Sequence, residues 1–272
     1  MLVQVEVRTP NGDLLTLPLE DIDNGLIVQE VEGLDPVKAT LVSTSFAQMP
    51  GAQYQSSRRE TRNITIKLGL DPDPLTETVR ELRNRLYAFF MPQSSISLRF
   101  VMDDLEVDIE GRVETFESAL FTQEPVVDIS IICFDPDFWD ATPVVMNGST
   151  VSSTTETPVT YEGTVETGLL FTLNVDRTLS EFTLYHRAPN DDIRVLDFSA
   201  PLEAGDVLTI STVSGLKGAT LTRMGVDSSV LYGISPQSTW TEFMPGDNFV
   251  RVYAEGAAIP YSIEYTTRYG GL

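Results

Sequence analysis

The chain has 272 residues, 42% of them hydrophobic, and its 40 acids against 18 bases give a formal net charge of −22. This length and apolar content suit one large domain or two ordinary domains with buried cores. The acidic excess disfavours binding to nucleic-acid phosphates or to an anionic membrane surface, because both are recognised by Lys and Arg. The single cysteine, Cys133, excludes an internal disulfide framework.

The sequence shows no sign of a membrane span or a secretion signal. It contains no run of about 18 apolar residues. Residues 1–6 alternate and carry an acid, which indicates a strand and not a basic, apolar signal peptide. We therefore expect synthesis in a cytoplasm and no membrane insertion.

The first half of the chain alternates apolar and polar residues with a period of two, the pattern of half-buried strands. Residues 3–7 and 15–19 alternate on either side of Asn11-Gly12, a pair that favours a tight hairpin turn. The same alternation, or a continuous apolar run, recurs at residues 64–68, 104–110 and 126–134.

One helix is predicted in this β-rich background, at about residues 74–91. Asp73 suits the N-cap and Pro74 suits the first helical position. Spacings of four and three place five apolar side chains on one stripe, namely Leu75, Val79, Leu82, Leu86 and Phe89. Pro92 ends the helix, and we expect its stripe to pack against a sheet.

A change of composition follows Phe134. Residues 135–140 carry a proline and three acids, and residues 149–157 are rich in Ser and Thr. We place a domain boundary there, which gives domains of residues 1–140 and 141–272. Only strand patterns occur in the second half, separated by Gly-Asp turns. The expected fold class is mainly β, with two β-sandwich-type domains and one α-helix inserted in the first.

The order of these pieces resembles the distal tail protein (Dit) family of long-tailed bacteriophages (siphoviruses). The segments that carry the resemblance are residues 57–66, 86–100, 202–210 and 239–270, the last of which includes Met244-Pro245-Gly246-Asp247-Asn248. The resemblance covers nearly the whole chain. It implies that the second domain is a galectin-like jelly roll.

The resemblance also implies a function. The chain would be a structural virion protein at the tail tip or baseplate, made in the host cytoplasm and without a cofactor. Its first domain would build a homohexameric ring through which DNA passes without sequence-specific binding. The implied partners are the tail tube protein, a trimeric tail-tip hub (tail-associated lysin), the tape measure protein and receptor-binding proteins. The alternative is a carbohydrate-binding adhesion module of a virion or cell surface.

A closed ring needs two complementary surfaces on each subunit. The dense basic cluster of this acidic chain consists of Arg58, Arg59 and Arg62, and one strand carries acids at alternate positions, namely Asp104, Glu106, Asp108 and Glu110. We hypothesise that the basic cluster pairs with these acids of a neighbour or with an adjoining tail protein. The alternative is a solvated loop with local ion pairs worth about 0–1 kcal/mol each.

The acidic strand has further interpretations. It is a solvated face, or it lines a lumen and repels passing DNA. Calcium binding is disfavoured, because the Asp-x-Asp-x-Asp-Gly spacing of a calcium loop is missing. We therefore expect no metal site.

Residues 43–55 are small and polar, with Met49-Pro50-Gly51 at their centre. We hypothesise that they form an extended arm that grips a neighbouring subunit, the alternative being a free hairpin tip. A sugar site would need an aromatic ring beside polar groups, and the residues of suitable type are His186, Arg187, Asn190 and Trp240. The galectin sugar-binding motif is missing, so roles in packing and turns are favoured for them.

Catalysis has few candidate residues. One histidine would have to serve any Ser-His-Asp arrangement, and neither Gly-x-Ser-x-Gly nor His-Glu-x-x-His occurs. Cys133 lies in an apolar run, which favours a core position over a nucleophile. Carboxylates are too numerous to single out a glycosidase pair. We therefore expect that the chain is not an enzyme and has no catalytic residues.

Overall fold

A computed structural model describes residues 1–19, 25–47, 50–73, 75–119, 124–256 and 258–272. Within these ranges the chain is mainly β with one α-helix, which confirms the predicted fold class. It divides into two compact units, Met1–Ala141 with Tyr269–Leu272, and Thr142–Arg268. No helix in the described ranges is long and apolar enough to cross a membrane.

The first unit is built on a nine-stranded sheet with one helix. Its elements are β1 (Leu2–Arg8), β2 (Leu14–Pro18), β3 (Leu26–Glu32), β4 (Ala39–Thr44), β5 (Gln53–Arg59), β6 (Arg62–Leu70), α1 (Val79–Phe90), β7 (Ser95–Met102), β8 (Glu106–Ser118), β9 (Val126–Cys133) and β10 (Phe138–Asp140). Seven strands have the order β2-β1-β7-β8-β9-β6-β3. Strand β10 pairs with β8, and the ninth strand, β22 (Arg268–Tyr269), pairs with β10. The two edge strands, β2 and β3, approach each other, so the sheet is strongly curled.

The inner face of this sheet forms the core of the first unit. Alternate residues of β6, Ile64, Ile66 and Leu68, are fully buried, as are Ile129 and Ile131 of the neighbouring strand β9. This burial confirms the period-two pattern of the sequence. The core of the first unit therefore lies between the inner face of this curled sheet and α1.

Helix α1 begins at Val79, five residues later than predicted. The N-cap is Thr78, whose hydroxyl accepts from the Glu81 amide at 3.3 Å while the Glu81 carboxylate accepts from the Thr78 amide at 2.9 Å. This reciprocal pair is a capping box, and it satisfies two amides that the helix leaves unpaired. Asp73 accepts from the amide of Leu75 and forms a turn before the helix. Pro74 lies outside the described residues.

The buried stripe of α1 is correspondingly shorter than predicted. Its buried residues are Leu82, Leu86 and Phe90. Leu75 precedes the helix and is 92% exposed, so its place on the stripe was wrong. Phe90 was not on the predicted stripe, although it lies four residues beyond Leu86 and so on the same face.

The second unit is a β-sandwich, as predicted. Its elements are β11 (Val144–Ser149), β12 (Thr157–Tyr161), β13 (Thr167–Asn174), β14 (Leu179–Arg187), β15 (Ile193–Leu202), β16 (Val207–Ser211), β17 (Gly218–Arg223), β18 (Val226–Ser229), a 3-10 helix (Leu231–Gly233), β19 (Glu242–Phe243), β20 (Gly246–Tyr253) and β21 (Pro260–Tyr265); β22 (Arg268–Tyr269) follows them. One sheet has the order β11-β21-β13-β16-β17-β18, with β19 beside β13, and the other β12-β20-β14-β15.

Aromatic rings fill the space between the two sheets of the second unit. Phe182 stacks on Phe171 of the opposite sheet, with centroids 5.6 Å apart, and on Phe198 of its own sheet at 5.3 Å. Such pairs contribute beyond their buried area, by about 0.5–1.5 kcal/mol each. They hold the two sheets of this unit together.

Candidate functional site

The hairpin of β4 and β5 is exposed along nearly its whole described length. These two strands form a separate two-stranded sheet. Every residue of both strands is exposed except Thr44, which is half-buried. Leu41 is 67% exposed and Tyr54 is 61% exposed. A lone two-stranded hairpin is marginally stable in water, and clustered exposed apolar side chains mark interaction surfaces.

The tip of this hairpin is open. Pro50 and Gly51 are exposed, and Gly51 has a φ of 91°, which favours glycine. A Cβ at Gly51 would meet nothing within 4 Å. Met49 lies outside the described residues. The hairpin base is tied to the chain by the amide of Glu60, which donates to the carbonyl of Lys38 at 2.9 Å.

Arg62 is not a surface residue, so its side chain is not available to a neighbouring subunit in this structure. Its side chain is 1% exposed. Its guanidinium donates to four backbone carbonyls, those of Gly33, Asp35, Pro136 and Gly270, at 2.5, 2.7, 2.7 and 2.7 Å respectively. It also stacks over the ring of Phe138, 4.3 Å from the centroid. Burial lowers the pKa of Arg62, as expected for a charge removed from water.

The other two arginines of the basic cluster lie on β5 and differ from each other. Arg59 forms an ion pair with the buried carboxylate of Asp137 in its own chain. Arg58 is exposed opposite Thr40 and forms no ion pair within the described ranges. Of the three basic side chains, Arg58 is therefore the one available to a partner.

The acidic row on β8 is partly neutralised within its own sheet. Asp108 accepts two hydrogen bonds from Arg99 of β7, both at 2.7 Å. This bond raises the pKa of the Arg99 guanidinium. Glu106 and Glu110 are exposed, and Asp104 is exposed in the turn before the strand. Within the described ranges, no three acidic, His or Cys side chains converge to hold a metal ion.

The four candidate sugar-site residues do not converge. His186 is fully buried and its Nε2 lies 2.9 Å from Oδ1 of Asn248. Asn248 in turn donates to the carbonyls of Met244 and Gly246 at 2.7 and 2.9 Å. His186 therefore fixes the Pro-Gly turn from inside the sandwich. Burial lowers its pKa, so the ring is neutral at pH 7.

The remaining candidates for a sugar site have separate structural roles. Arg187 faces outward, bound to Glu156 at 2.7 Å and stacked over Phe249 at 4.0 Å. Asn190 accepts from the amide of Asp192 in a turn. Trp240 packs, partly buried, against the core of the second unit. The combination of an aromatic platform and polar groups is thus not formed by these residues.

Cys133 is fully buried at the end of β9. Burial raises the pKa of its thiol to about 12, so the nucleophilic thiolate is negligible at neutral pH. The residue packs in the core, as its apolar surroundings predicted.

Two contacts of this region were missed in the sequence. Asp137 belongs to an acidic segment that only indicated a boundary. Arg99 follows the alternation of residues 96–100, and the pairing of β7 with β8 puts it opposite Asp108. That register was the missing information, because charge and alternation alone do not show which acid faces Arg99.

Comparisons with known proteins bear on the whole chain. Residues 162–269 match the family described as "Siphovirus-type tail component, C-terminal domain". The crystal structure of Dit from phage SPP1, described as a paradigm of the hub adsorption apparatus in phages infecting Gram-positive bacteria, is similar with a TM-score of 0.71 at 14% identity. The match covers 97% of this chain and 98% of that one. At this identity the likeness establishes a shared fold.

Two structures of the phage p2 baseplate in its activated conformation are similar at a lower level. The one with Ca has a TM-score of 0.49 at 8% identity and covers 100% of both chains. The one with Sr has a TM-score of 0.46 at 8% identity and covers 96% of this chain and 97% of that one. No curated protein matches the chain by sequence.

Proposed function

We propose that this chain is a distal tail protein that forms a hexameric ring at the phage tail tip. Residues 162–269 match the siphovirus-type tail component family, and the whole chain shares the fold of SPP1 Dit. The observation that carries the proposal is the likeness to SPP1 Dit over 97% of the chain. The ring joins the tail tube protein to the trimeric tail-tip hub, the tail-associated lysin. The tape measure and receptor-binding proteins are further partners, and DNA passes through the lumen.

The hairpin of β4 and β5 is the arm by which one subunit grips the next. It exposes apolar side chains on a segment that has little support from its own unit. Burying Leu41 and Tyr54 against a neighbour would stabilise the contact by roughly 25 cal/mol for each Å² of apolar surface removed from water. Pro50 and Gly51 form the end of this arm.

Arg58 is the basic group that the arm contributes to a neighbour. The exposed acids Asp104, Glu106 and Glu110 are its candidate partners, while Asp108 and Arg59 are engaged within their own chain. The same acids, where they face the lumen, repel DNA phosphates and keep DNA from adhering during passage.

Mass measurement tests the ring directly. Six copies of a 30.1 kDa chain give a particle of about 180 kDa, measurable by light scattering coupled to size exclusion. Class averages in negative-stain microscopy should then show sixfold symmetry. A monomer in isolation that also fails to form a ring with the tube and hub proteins of the same tail would contradict the proposal.

Replacing the exposed apolar side chains by polar ones tests the arm. Combining Leu41→Lys with Tyr54→Ser should shift the ring toward monomers, because both side chains are exposed in the single chain and neither supports its core. Met224→Lys is the matched control, since Met224 is an apolar side chain that is 97% exposed in the second unit. Equal effects of the two changes would count against the arm.

The charge pairing has its own test. Arg58→Glu should weaken the ring, and adding Glu110→Arg or Glu106→Arg should restore part of the loss if that acid is the partner. Raised salt should weaken the wild-type ring and leave the Arg58→Glu variant less affected. No rescue by any acid-to-Arg change would remove the pairing from the proposal.

A carbohydrate-binding module is the second candidate function, on the β-sandwich architecture of the second unit. The observation in its favour is an open groove of about 190 Å³ on the outer face of the four-stranded sheet, lined by Tyr253, Thr183 and Asp197 among others. A saccharide array on the intact chain decides the matter. Binding that is lost in Tyr253→Ala would support this function, and no binding would leave the structural role alone.

A further inference from the structure

Residues 269–272, here called the return segment, belong to the first unit although the whole second unit precedes them in the chain. Tyr269 and Leu272 pack against the core of the first unit. The amide of Leu272 donates to the carbonyl of Leu34 at 3.0 Å. Four residues that follow the second unit in sequence therefore complete the first unit in space.

Arg62 is the group that fixes the return segment. Its Nη2 donates to the carbonyl of Gly270 at 2.7 Å, a contact between residues 208 apart in sequence. Its Nη1 and Nε bind carbonyls of two other segments, at Gly33 and Asp35 and at Pro136. One guanidinium thus joins three separate pieces of chain, because its planar fork points N–H groups in three directions.

A buried guanidinium is stable only when its N–H groups have acceptors. With the return segment displaced, Nη2 of Arg62 would lose the Gly270 carbonyl, and the space beside it would open to water. Leu34 would lose its hydrogen bond from Leu272 at the same time. Displacement is therefore unfavourable on both sides of the contact.

The return segment packs so closely against Pro36 that only glycine fits at position 271. A Cβ on Gly271 would lie 2.6 Å from Cδ and 2.7 Å from the nitrogen of Pro36. Real Cβ atoms do not approach other atoms so closely, and the backbone of Pro36 has little freedom to retreat. The contact is a close fit of backbone against backbone, and a side chain at Gly271 would lift the segment away.

We infer that the return segment is an assembly checkpoint. The first unit closes, and becomes able to associate with other copies, only after the chain has passed through residues 142–268 and placed the return segment on Arg62. A chain still short of residue 269 would be kept out of the ring. The part of this inference that concerns association rests on the proposed function.

The test compares two glycine variants of the full chain. Gly271→Val prevents the return segment from packing against Pro36. Gly218→Val is the matched control, because a Cβ at Gly218 meets nothing within 4 Å. Hydrogen exchange measured by mass spectrometry reports closure of the first unit. The amides to follow are those of β6, which contains Arg62, and of its neighbour β9. Light scattering follows the mass of the assembly. In Gly271→Val we expect exchange in β6 and β9 to be about tenfold faster or more, as the loss of a charge-assisted hydrogen bond predicts, with a shift from ring to monomer.

The strands β13 and β14 of the second unit should exchange as in the wild type, which shows that the chain is otherwise folded. Unchanged exchange in β6 and β9 would overturn the inference. Faster exchange with an unchanged ring mass would also overturn it, because association would then not depend on closure. If the wild type itself is monomeric, the ring proposal fails separately, and the exchange data alone decide whether the return segment closes the first unit.

Arg62→Lys tests the role of the guanidinium. Lysine keeps the charge but carries one ammonium group, which cannot reach carbonyls on three segments at once. We expect faster exchange in β6 and β9 with normal exchange in β13 and β14. Wild-type exchange in this variant would show that Arg62 does not hold the return segment.

Discussion

Arg99 and Asp108 face each other across β7 and β8 and form a two-pronged ion pair, with Nε–Oδ1 and Nη2–Oδ2 distances of 2.7 Å each. Glu6 of β1 lies on the other side of Arg99 in the same cross-strand row. The guanidinium of Arg99 therefore neutralises the central acid, Asp108, of the acidic strand β8. Fork geometry of this kind is among the stronger polar contacts at a protein surface.

A double-mutant cycle with Arg99→Ala and Asp108→Asn should give a coupling free energy of about 1 kcal/mol, because both side chains are mostly buried in the sheet surface. The measurement is the free energy of unfolding of the first unit in urea. The Arg8–Glu6 pair is the control, since Arg8 is more exposed and its coupling should be smaller. Strictly additive effects of the two changes would contradict the role of the pair.

Thr78→Ala should reduce the free energy of unfolding of the first unit by about 1 kcal/mol, because it removes the N-cap of α1. Asp73→Ala should have a smaller effect, since Asp73 accepts one amide in a turn outside the helix. Urea unfolding curves of both variants check the order. A larger effect of Asp73→Ala would mean that the helix begins where the sequence first suggested.

The stability of the second unit should depend on pH through His186. Burial lowers its pKa below the ordinary value of 6.5, so the unfolded chain binds a proton more readily than the folded one. The contribution to stability is complete above pH 6.5 and is lost as pH falls below it.

We therefore expect the melting temperature of the second unit to fall between about pH 7.5 and 5.5. His186→Gln keeps an amide donor for Asn248 and cannot titrate, so its melting temperature should fall less over the same range. Calorimetry of both proteins makes the comparison. Parallel pH profiles would show that other groups control the acid sensitivity.

Cys133 should resist thiol reagents in the folded protein, because burial raises the pKa of the thiol to about 12. Mass spectrometry after treatment with iodoacetamide at mildly alkaline pH should show an unlabelled native chain. One label per chain should appear in denaturant, since the sequence has a single cysteine. Complete labelling of the native protein within minutes would place the thiol at the surface.

Local patterns in the sequence predicted the strands and the existence of the helix, because alternation and helical spacing reflect which face is buried. They failed at the start of α1, where two acceptable caps compete. Asp73-Pro74 resembles a helix start, but Thr78 with Glu81 offers a reciprocal pair of hydrogen bonds. The choice between the two starts depends on both residues of the capping box. Asp73 has no Glu or Gln three residues later to complete such a box, whereas Thr78 has Glu81.

Residue roles that depend on distant contacts could not be predicted. Arg62 and Arg58 are indistinguishable in the sequence, because both belong to one basic cluster in a polar segment. Their difference comes from four carbonyls on segments at 33–35, 136 and 270, which only the fold brings together. For His186 the sequence favoured a role in packing or a turn, but its hydrogen bond to Asn248 depends on the register of β14 against β20.

The path of the chain has a consequence for how such a protein diversifies. It leaves the first unit after Ala141 and re-enters at Tyr269, and β10, just before the exit, pairs with the strand that contains the re-entry point. In topological terms residues 142–268 are an insertion with adjacent ends. An insertion of that kind can be exchanged for another module whose termini lie close together while the host domain keeps its sheet. The inserted unit is then free to change independently of the first unit.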